Sequence, residues 1–273
     1  MSKQKEPPPG PPGSLANMPF GKSIIAEEVF TYCQFKELAE LLRLTVSQKS
    51  MCLITGQAGV GKTTAVRTFT DDLPTNKHQI VYAGQDQDGG NLCRRFACAL
   101  GFQPPRSRSH TWLAISQHLS DNLVEQGKDV VLVVDEAHLL DDLTLEEIRL
   151  LTNADFDRTS PLSIILLGQL SLRSRLKMGG FEALNQRLRF RYSLEGFSDQ
   201  ETADYIRHRL RSAGLDEDLF TAEALKQIFL ASQGIPREIN NLCTLALVKA
   251  NANNATTIDV KLIRQILDQR ELN

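Results

Sequence analysis

The stretch LITGQAGVGKTTAVRTF, Leu53 to Phe69, constrains this chain more than any other. An apolar run ends in a glycine-rich turn, and a segment of helical character follows. Gly56, Gln57, Ala58, Gly59, Val60, Gly61, Lys62 and Thr63 fill GxxxxGK[ST] at every fixed position. Glycines let a backbone wrap phosphate oxygens without a Cβ in the way. The loop amides and the first turn of the following helix, including Thr64, favour negative charge. Lys62 is placed to reach β- and γ-phosphates, and Thr63 to offer its hydroxyl to Mg²⁺. The expected ligand is ATP with Mg²⁺.

The second half of such a site is expected in VVLVVDEAHLL. Five apolar residues place Asp135 at the carboxyl edge of a buried strand, where its carboxylate can hold a Mg²⁺-bound water. Glu136 is the candidate to polarise the attacking water. Adjacent acids after such a strand are costly unless something binds them. His138 reads mainly as strand-to-helix packing. Gln169 ends the run LSIILLGQ and would face the γ-phosphate, with turn-capping as its structural alternative. Arg187, or less favourably Arg189, could reach a neighbouring subunit and stabilise transition-state charge. Arg237, in GIPREINNL, begins a helix and could sense bound nucleotide.

Strand candidates at Met51–Thr55, Gln79–Ala83, Val130–Val134, Leu162–Leu167 and Phe190–Leu194 alternate with helical stretches. Those stretches are Lys62–Asp72, Gly89–Leu100, Thr111–Gln126 and Leu143–Thr152, with an earlier helix over Glu27–Leu44. This alternation predicts an α/β fold with a mainly parallel sheet covered on both faces. After Gly196 four helical segments follow, with Ser198 and Glu201 forming a capping box and Thr221 a simpler cap. The expected organisation is a Pro/Gly-rich disordered tail over 1–19, a P-loop domain over 20–196 and a small all-helical lid over 197–273.

The chain is 273 residues long with 41% hydrophobic residues, enough for a real core. A net charge of −2 leaves nucleic acid open as a partner, because local patches matter more than the total. The start of the chain lacks the apolar core of a signal peptide, and no apolar run is long enough to span a bilayer. Cys93 and Cys98 have no second pair nearby to complete a zinc site. The five cysteines read as small core residues of a protein in a reducing cytoplasm.

The phosphate loop, VVLVVDEAHLL, IRLLTN, IILLGQLSLRSRL and GIPREINNL together resemble AAA+ ATPases of the secretion pathway protein A type. That group includes stand-alone ATPases that accompany transposases of insertion sequences and of Tn7- or Mu-like elements. The resemblance spans roughly residues 18 to 270. It implies phosphate and Mg²⁺ roles for Lys62 and Thr63, and an acidic motif at Asp135 and Glu136. It also implies a sensor at Gln169, an arginine finger at Arg187 and a second sensor at Arg237. Leu170 stands where the nearest relatives usually carry proline. The resemblance further implies a nucleotide-dependent homo-oligomer.

Secretion-type relatives continue into a membrane span and a cell-wall-binding module. This sequence shows neither before Asn273, so the expectation leans to the transposition branch. Such a protein would assemble with ATP on double-stranded DNA without sequence preference. It would recruit or activate a transposase, with a target-site adaptor as a further partner and no membrane contact. Residues 173–191 supply Arg173, Arg175, Lys177, Arg187, Arg189 and Arg191 against one acid, Glu182; Arg94, Arg95, Arg106 and Arg108 form a second basic group. The alternatives are an ATPase module of secretion or envelope assembly, and a nucleotide-gated oligomeric scaffold with slow hydrolysis.

Overall fold

A computed structural model describes residues 19–21, 29–83, 92–125, 127–152 and 160–271. The expected disordered tail lies outside these apart from Pro19, as does the beginning of the expected helix at Gly89. The chain divides into two compact units: Cys33–Leu194, and Glu195–Asn273 together with residues up to Tyr32.

The first unit is built on five strands: β1 (Met51–Thr55), β2 (His78–Ala83), β3 (Asp129–Val134), β4 (Leu162–Gly168) and β5 (Leu188–Ser193). All pair in parallel, in the order β2-β3-β4-β1-β5. Every residue of β1 and β4 is buried, as expected of central strands covered on both faces. Edge strands β2 and β5 carry exposed Tyr82, Arg189 and Arg191. β5 begins two residues earlier than the apolar pattern suggested. The register slips between Met51 and Cys52, so Leu188 and Phe190 both face β1 across an irregularity.

Alternation along the strands sorts the side chains between two layers. Met51, Leu53, Val130, Leu132, Val134, Leu162, Ile164 and Leu166 join one buried cluster with Phe96, Trp112, Ile115 and Ile148. Those partners lie on α3 (Leu92–Ala99), α4 (Arg108–Glu125) and α5 (Asp142–Leu151). The opposite face meets α1 (Cys33–Ser47) and α2 (Lys62–Asp71): Ser163 Oγ donates to the Val46 carbonyl at 3.4 Å, and Tyr82 OH bonds Thr70. The short helices α6 (Leu170–Leu176) and α7 (Glu182–Arg187) link β4 to β5.

Residues 27 and 28 of the expected early helix lie outside the described residues, 29–32 are not helical, and α1 starts at Cys33. Phe30, which falls within the expected helical span, does other work: it stacks with Tyr32 and packs edge-on to Phe197 and Tyr205. These rings belong to the second unit. Its helices are α8 (Asp199–Ser212), α9 (Ala222–Ser232), α10 (Pro236–Ala252) and α11 (Val260–Glu271). The α8 capping box is complete: Ser198 Oγ accepts from Glu201 N at 3.2 Å and Glu201 Oε2 accepts from Ser198 N at 2.9 Å. Thr221 caps α9 through Ala224 N. Buried Arg209 donates from Nε to the Pro19 carbonyl at 2.7 Å and from Nη2 to that of Gly21 at 3.3 Å, anchoring this early segment on α8.

Candidate phosphate site

Parallel strands deliver their carboxyl ends to one edge of the sheet. Order reverses at β1: one crossover leads past two strands to β2, and the last strand returns on the other side. Ligands bind open α/β sheets at such a switch point. The loop after β1 is Gly56–Gly61. Gly56 is buried against β5's end, and a Cβ there would stand 2.5 Å from the Leu194 carbonyl oxygen. Gly61 has φ +103° and forms the N-cap of α2 without any side-chain cap. The first amides of α2 therefore keep their donors for something other than a side chain, which is the condition for anion binding at a helix start.

Lys62 is buried, and its ammonium donates to the carbonyls of Gly56 at 2.9 Å and Gln57 at 3.0 Å. The cation is thus stored inside the loop that would cradle phosphate. Thr63 Oγ1 donates to Asp135 Oδ2 at 2.7 Å, although the two residues are 72 positions apart. Asp135 Oδ1 accepts from Glu136 N at 2.8 Å, while the Asp135 amide is tied to Ala83 O at 3.0 Å. A hydroxyl beside a carboxylate at a strand end is a donor set of hard oxygens, which suits Mg²⁺. The residues present fit the expected metal-nucleotide.

Glu136 occupies the left-handed region at φ 52°, ψ 35°. This is unusual for a side chain of its kind, and such strain gathers at functional sites. It turns the chain sharply into a 3₁₀ turn over Ala137–Leu139 and leaves the carboxylate half exposed. His138 Nδ1 stands 3.3 Å from Glu136 Oε2 but is not aligned as a hydrogen bond. Beyond the turn, Asp141 caps α5 by accepting from Thr144 N at 2.8 Å. Hydrogen bonds from Thr144 hold the Asp141 carboxyl below the usual carboxylate range, with Arg108 and Arg175 adding to the effect.

Gln169 follows the β4 residue that pairs with Thr55, so it lies at the same sheet edge as Gly56. Its side chain is exposed and makes no capping bond to α6, despite its N-cap position. Turn-capping therefore does not account for it. Gln57, Ala58, Thr63 and Thr64 are exposed on the loop and first helical turn, Gly59 is half-buried, and Val60 is buried. Arg187 ends α7 at the amino end of β5. At ~3.3 Å per strand residue, β5 separates it from the phosphate edge by about 17–20 Å. Arg187 is not part of the constellation within one chain. Arg237 is exposed in the first turn of α10, in the other unit.

Two residues of the expected basic surface are committed elsewhere. Arg108 Nη2 binds Glu147 Oε2 and the Thr144 hydroxyl, both at 2.7 Å. Arg175 is paired with Asp142. Arg173, Lys177, Arg189 and Arg191 are exposed, although Arg191 also donates to the Asn185 carbonyl at 2.6 Å. Cys52, Cys93 and Cys243 are buried as expected of core thiols, but Cys33 and Cys98 are exposed. Among the described residues no helix is long and apolar enough to cross a membrane.

An AAA domain family model matches residues 43–176. General secretion pathway protein A of Aeromonas hydrophila is 35% identical over 210 residues, covering 76% of this chain and 38% of that protein. Among solved structures, Cdc6p from Pyrobaculum aerophilum superimposes with a TM-score of 0.68 at 17% identity, covering 89% of this chain and 68% of that one. The Aeropyrum pernix ORC2 protein gives 0.66 at 15% identity, covering 93% and 71%. These two likenesses speak to the fold alone. The AAA domain match, the parallel sheet and its switch-point loop, with a helical second unit, together have the architecture of an AAA+ P-loop NTPase.

Proposed function

We propose that this chain is the ATP-hydrolysing module of a secretion or envelope-assembly system, working as a nucleotide-dependent homo-oligomer on the cytoplasmic side. Its sheet domain handles ATP, and its helical domain responds to the nucleotide. The observation that carries the setting is the 35% identity to General secretion pathway protein A across three-quarters of this chain. Because the match takes in only 38% of that protein, where this sequence ends does not weigh between the readings.

In the proposed reaction, the amides of Gly56–Thr64 and the start of α2 bind the phosphates. Lys62 leaves the Gly56 and Gln57 carbonyls for the β- and γ-phosphate oxygens. Thr63 and Asp135 would hold Mg²⁺, which when bound neutralises charge building on the phosphates. Glu136 orients and polarises the water that attacks the γ-phosphate, and Gln169 positions that water from the next strand end. Arg187, remote from its own phosphate edge, serves the site of a neighbouring subunit. Arg237 reports the bound nucleotide to the helical domain.

The DNA-assembling, transposase-recruiting reading is favoured by exposed Arg173, Lys177 and Arg189. It loses support from Arg108 and Arg175, whose charges are used inside the fold. One experiment separates the two. ATP hydrolysis and binding to long random duplex DNA are measured without nucleotide, with ADP and with a slowly hydrolysed ATP analogue, at low and moderate salt. Lys62→Ala and Glu136→Gln run beside the native chain. The proposal expects hydrolysis that both substitutions abolish and no nucleotide-dependent DNA assembly. Assembly on DNA that needs ATP, persists in Glu136→Gln and fails in Lys62→Ala would replace it with the transposition reading.

A further inference from the structure

We propose that Arg175 is a positioning residue that locks the turn carrying Glu136 onto α6, the helix that follows Gln169. The polarising carboxylate and the strand end beside it then move as one body. This rests on the role of Glu136 proposed above.

The turn needs such a lock. The amides of the 3₁₀ turn reach the Glu136 and Ala137 carbonyls, at 2.9 and 3.3 Å, and not those of His138 and Leu140. Arg175, on α6, supplies the missing donors. Its Nη1 donates to the Leu140 carbonyl at 2.7 Å and, more distantly, to that of His138 at 3.4 Å. Nε donates to Asp142 Oδ1 at 3.1 Å, and Nη2 binds the same oxygen. The guanidinium lies 5.7 Å from the centre of the Phe181 ring. One planar fork thus spans the exit of the turn and the first residue of α5. Only arginine presents donors along several edges at once.

A second contact grips the turn from the sheet side. A Cβ on Gly168 would stand 2.8 Å from Leu172 Cδ2 and 3.5 Å from the His138 amide nitrogen. The end of β4 therefore packs closely on Leu172 of α6, with the His138 amide at contact distance. His138 in turn stands 3.3 Å from the Glu136 carboxylate. A change at Gln169 on ATP binding has a short route to Glu136 through α6, Arg175 and the turn. The same bonds explain why this cation, which the sequence offers as one of a basic run, is not free for a phosphate backbone.

The test measures steady-state ATP hydrolysis and the Kd of a fluorescent ATP analogue for the full chain. Arg175→Ala is expected to lower kcat at least about tenfold while the Kd stays within about twofold, because a turn-only defect spares ground-state binding. Arg175→Lys keeps the charge but cannot span Asp142 and Leu140 together, so it recovers only part of kcat. Asp142→Ala, at an exposed side chain, lowers kcat about threefold, and the Arg175→Ala/Asp142→Ala double variant falls no further than Arg175→Ala. Unchanged kcat in both single variants would overturn the proposal, as would nucleotide affinity falling in step with kcat. If Arg175→Ala does not fold, unchanged kcat in Asp142→Ala overturns it alone. Equal hydrolysis by the native chain and Glu136→Gln would remove the parent reading and the coupling with it. Loss in Glu136→Gln with an unaffected Arg175→Ala removes the coupling only.

Discussion

Replacing Glu136 by glycine should make the protein more heat-stable than replacing it by alanine, while both lose hydrolysis. Glu136 sits at φ 52°, where an L-residue with a Cβ is disfavoured by about 1–2 kcal/mol. Alanine retains that Cβ and its strain; glycine removes it. Against this, glycine has more freedom to lose from the unfolded chain, about 0.4–1 kcal/mol. The difference leaves glycine ahead of alanine by about 0.5–1 kcal/mol. In a unit running from Cys33 to Leu194, this corresponds to roughly 1–4 °C in Tm. The carboxylate is half exposed, so its removal is common to both variants and cancels. Thermal unfolding of the two variants side by side measures the difference, and phosphate release measures the loss of turnover. An alanine variant as stable as the glycine variant, or more so, would refute the claim that the fold tolerates strain at this residue.

Further outcomes follow from other parts of the molecule. Asp141→Ala removes the α5 cap and should cost about 1 kcal/mol at neutral pH. Because the folded carboxyl titrates below its ordinary value, this contribution is fully present above the unfolded pKa. It fades as pH falls below about 4, so denaturation curves of the two proteins should converge there. A thiol-reactive dye should modify Cys33 and Cys98 quickly in the native protein and all five thiols only after unfolding; burial pushes Cys52 up to about 12, and modification of it at pH 8 without unfolding would contradict its placement. Arg209→Ala should destabilise the helical unit by about 2–3 kcal/mol, since it strips a charged donor from two carbonyls. It should also speed proteolysis around Pro19–Gly21; unchanged cleavage would show that the arginine does not anchor that segment.

Much of the sheet unit was legible in the chain itself because its determinants are local. Short apolar runs bounded by glycine and polar residues marked all five strands, and the phosphate loop announced its own turn through glycines at close-approach positions. The α8 capping box was legible for the same reason, since Ser198 and Glu201 are neighbours along the helix they begin. Boundaries were less secure where a residue answers to a distant partner. Phe30 has the spacing of a helical residue in α1, yet it belongs to the helical unit, where it packs on Phe197 and Tyr205.

The tertiary structure decided what the cations do. Arg173, Arg175 and Arg108 look alike in a sequence, each a charge in a basic group. Folding brings Asp142 to Arg175 across 33 positions and Glu147 to Arg108 across 39, and leaves Arg173 in solvent. It also set Arg187 a strand's length from its own phosphate edge and brought Thr63 to Asp135. A motif states which side chains are present because its chemistry lies in consecutive residues. Whether a long, charged side chain meets a carboxylate, a carbonyl or water depends on strand order and helix packing, which no window of sequence contains.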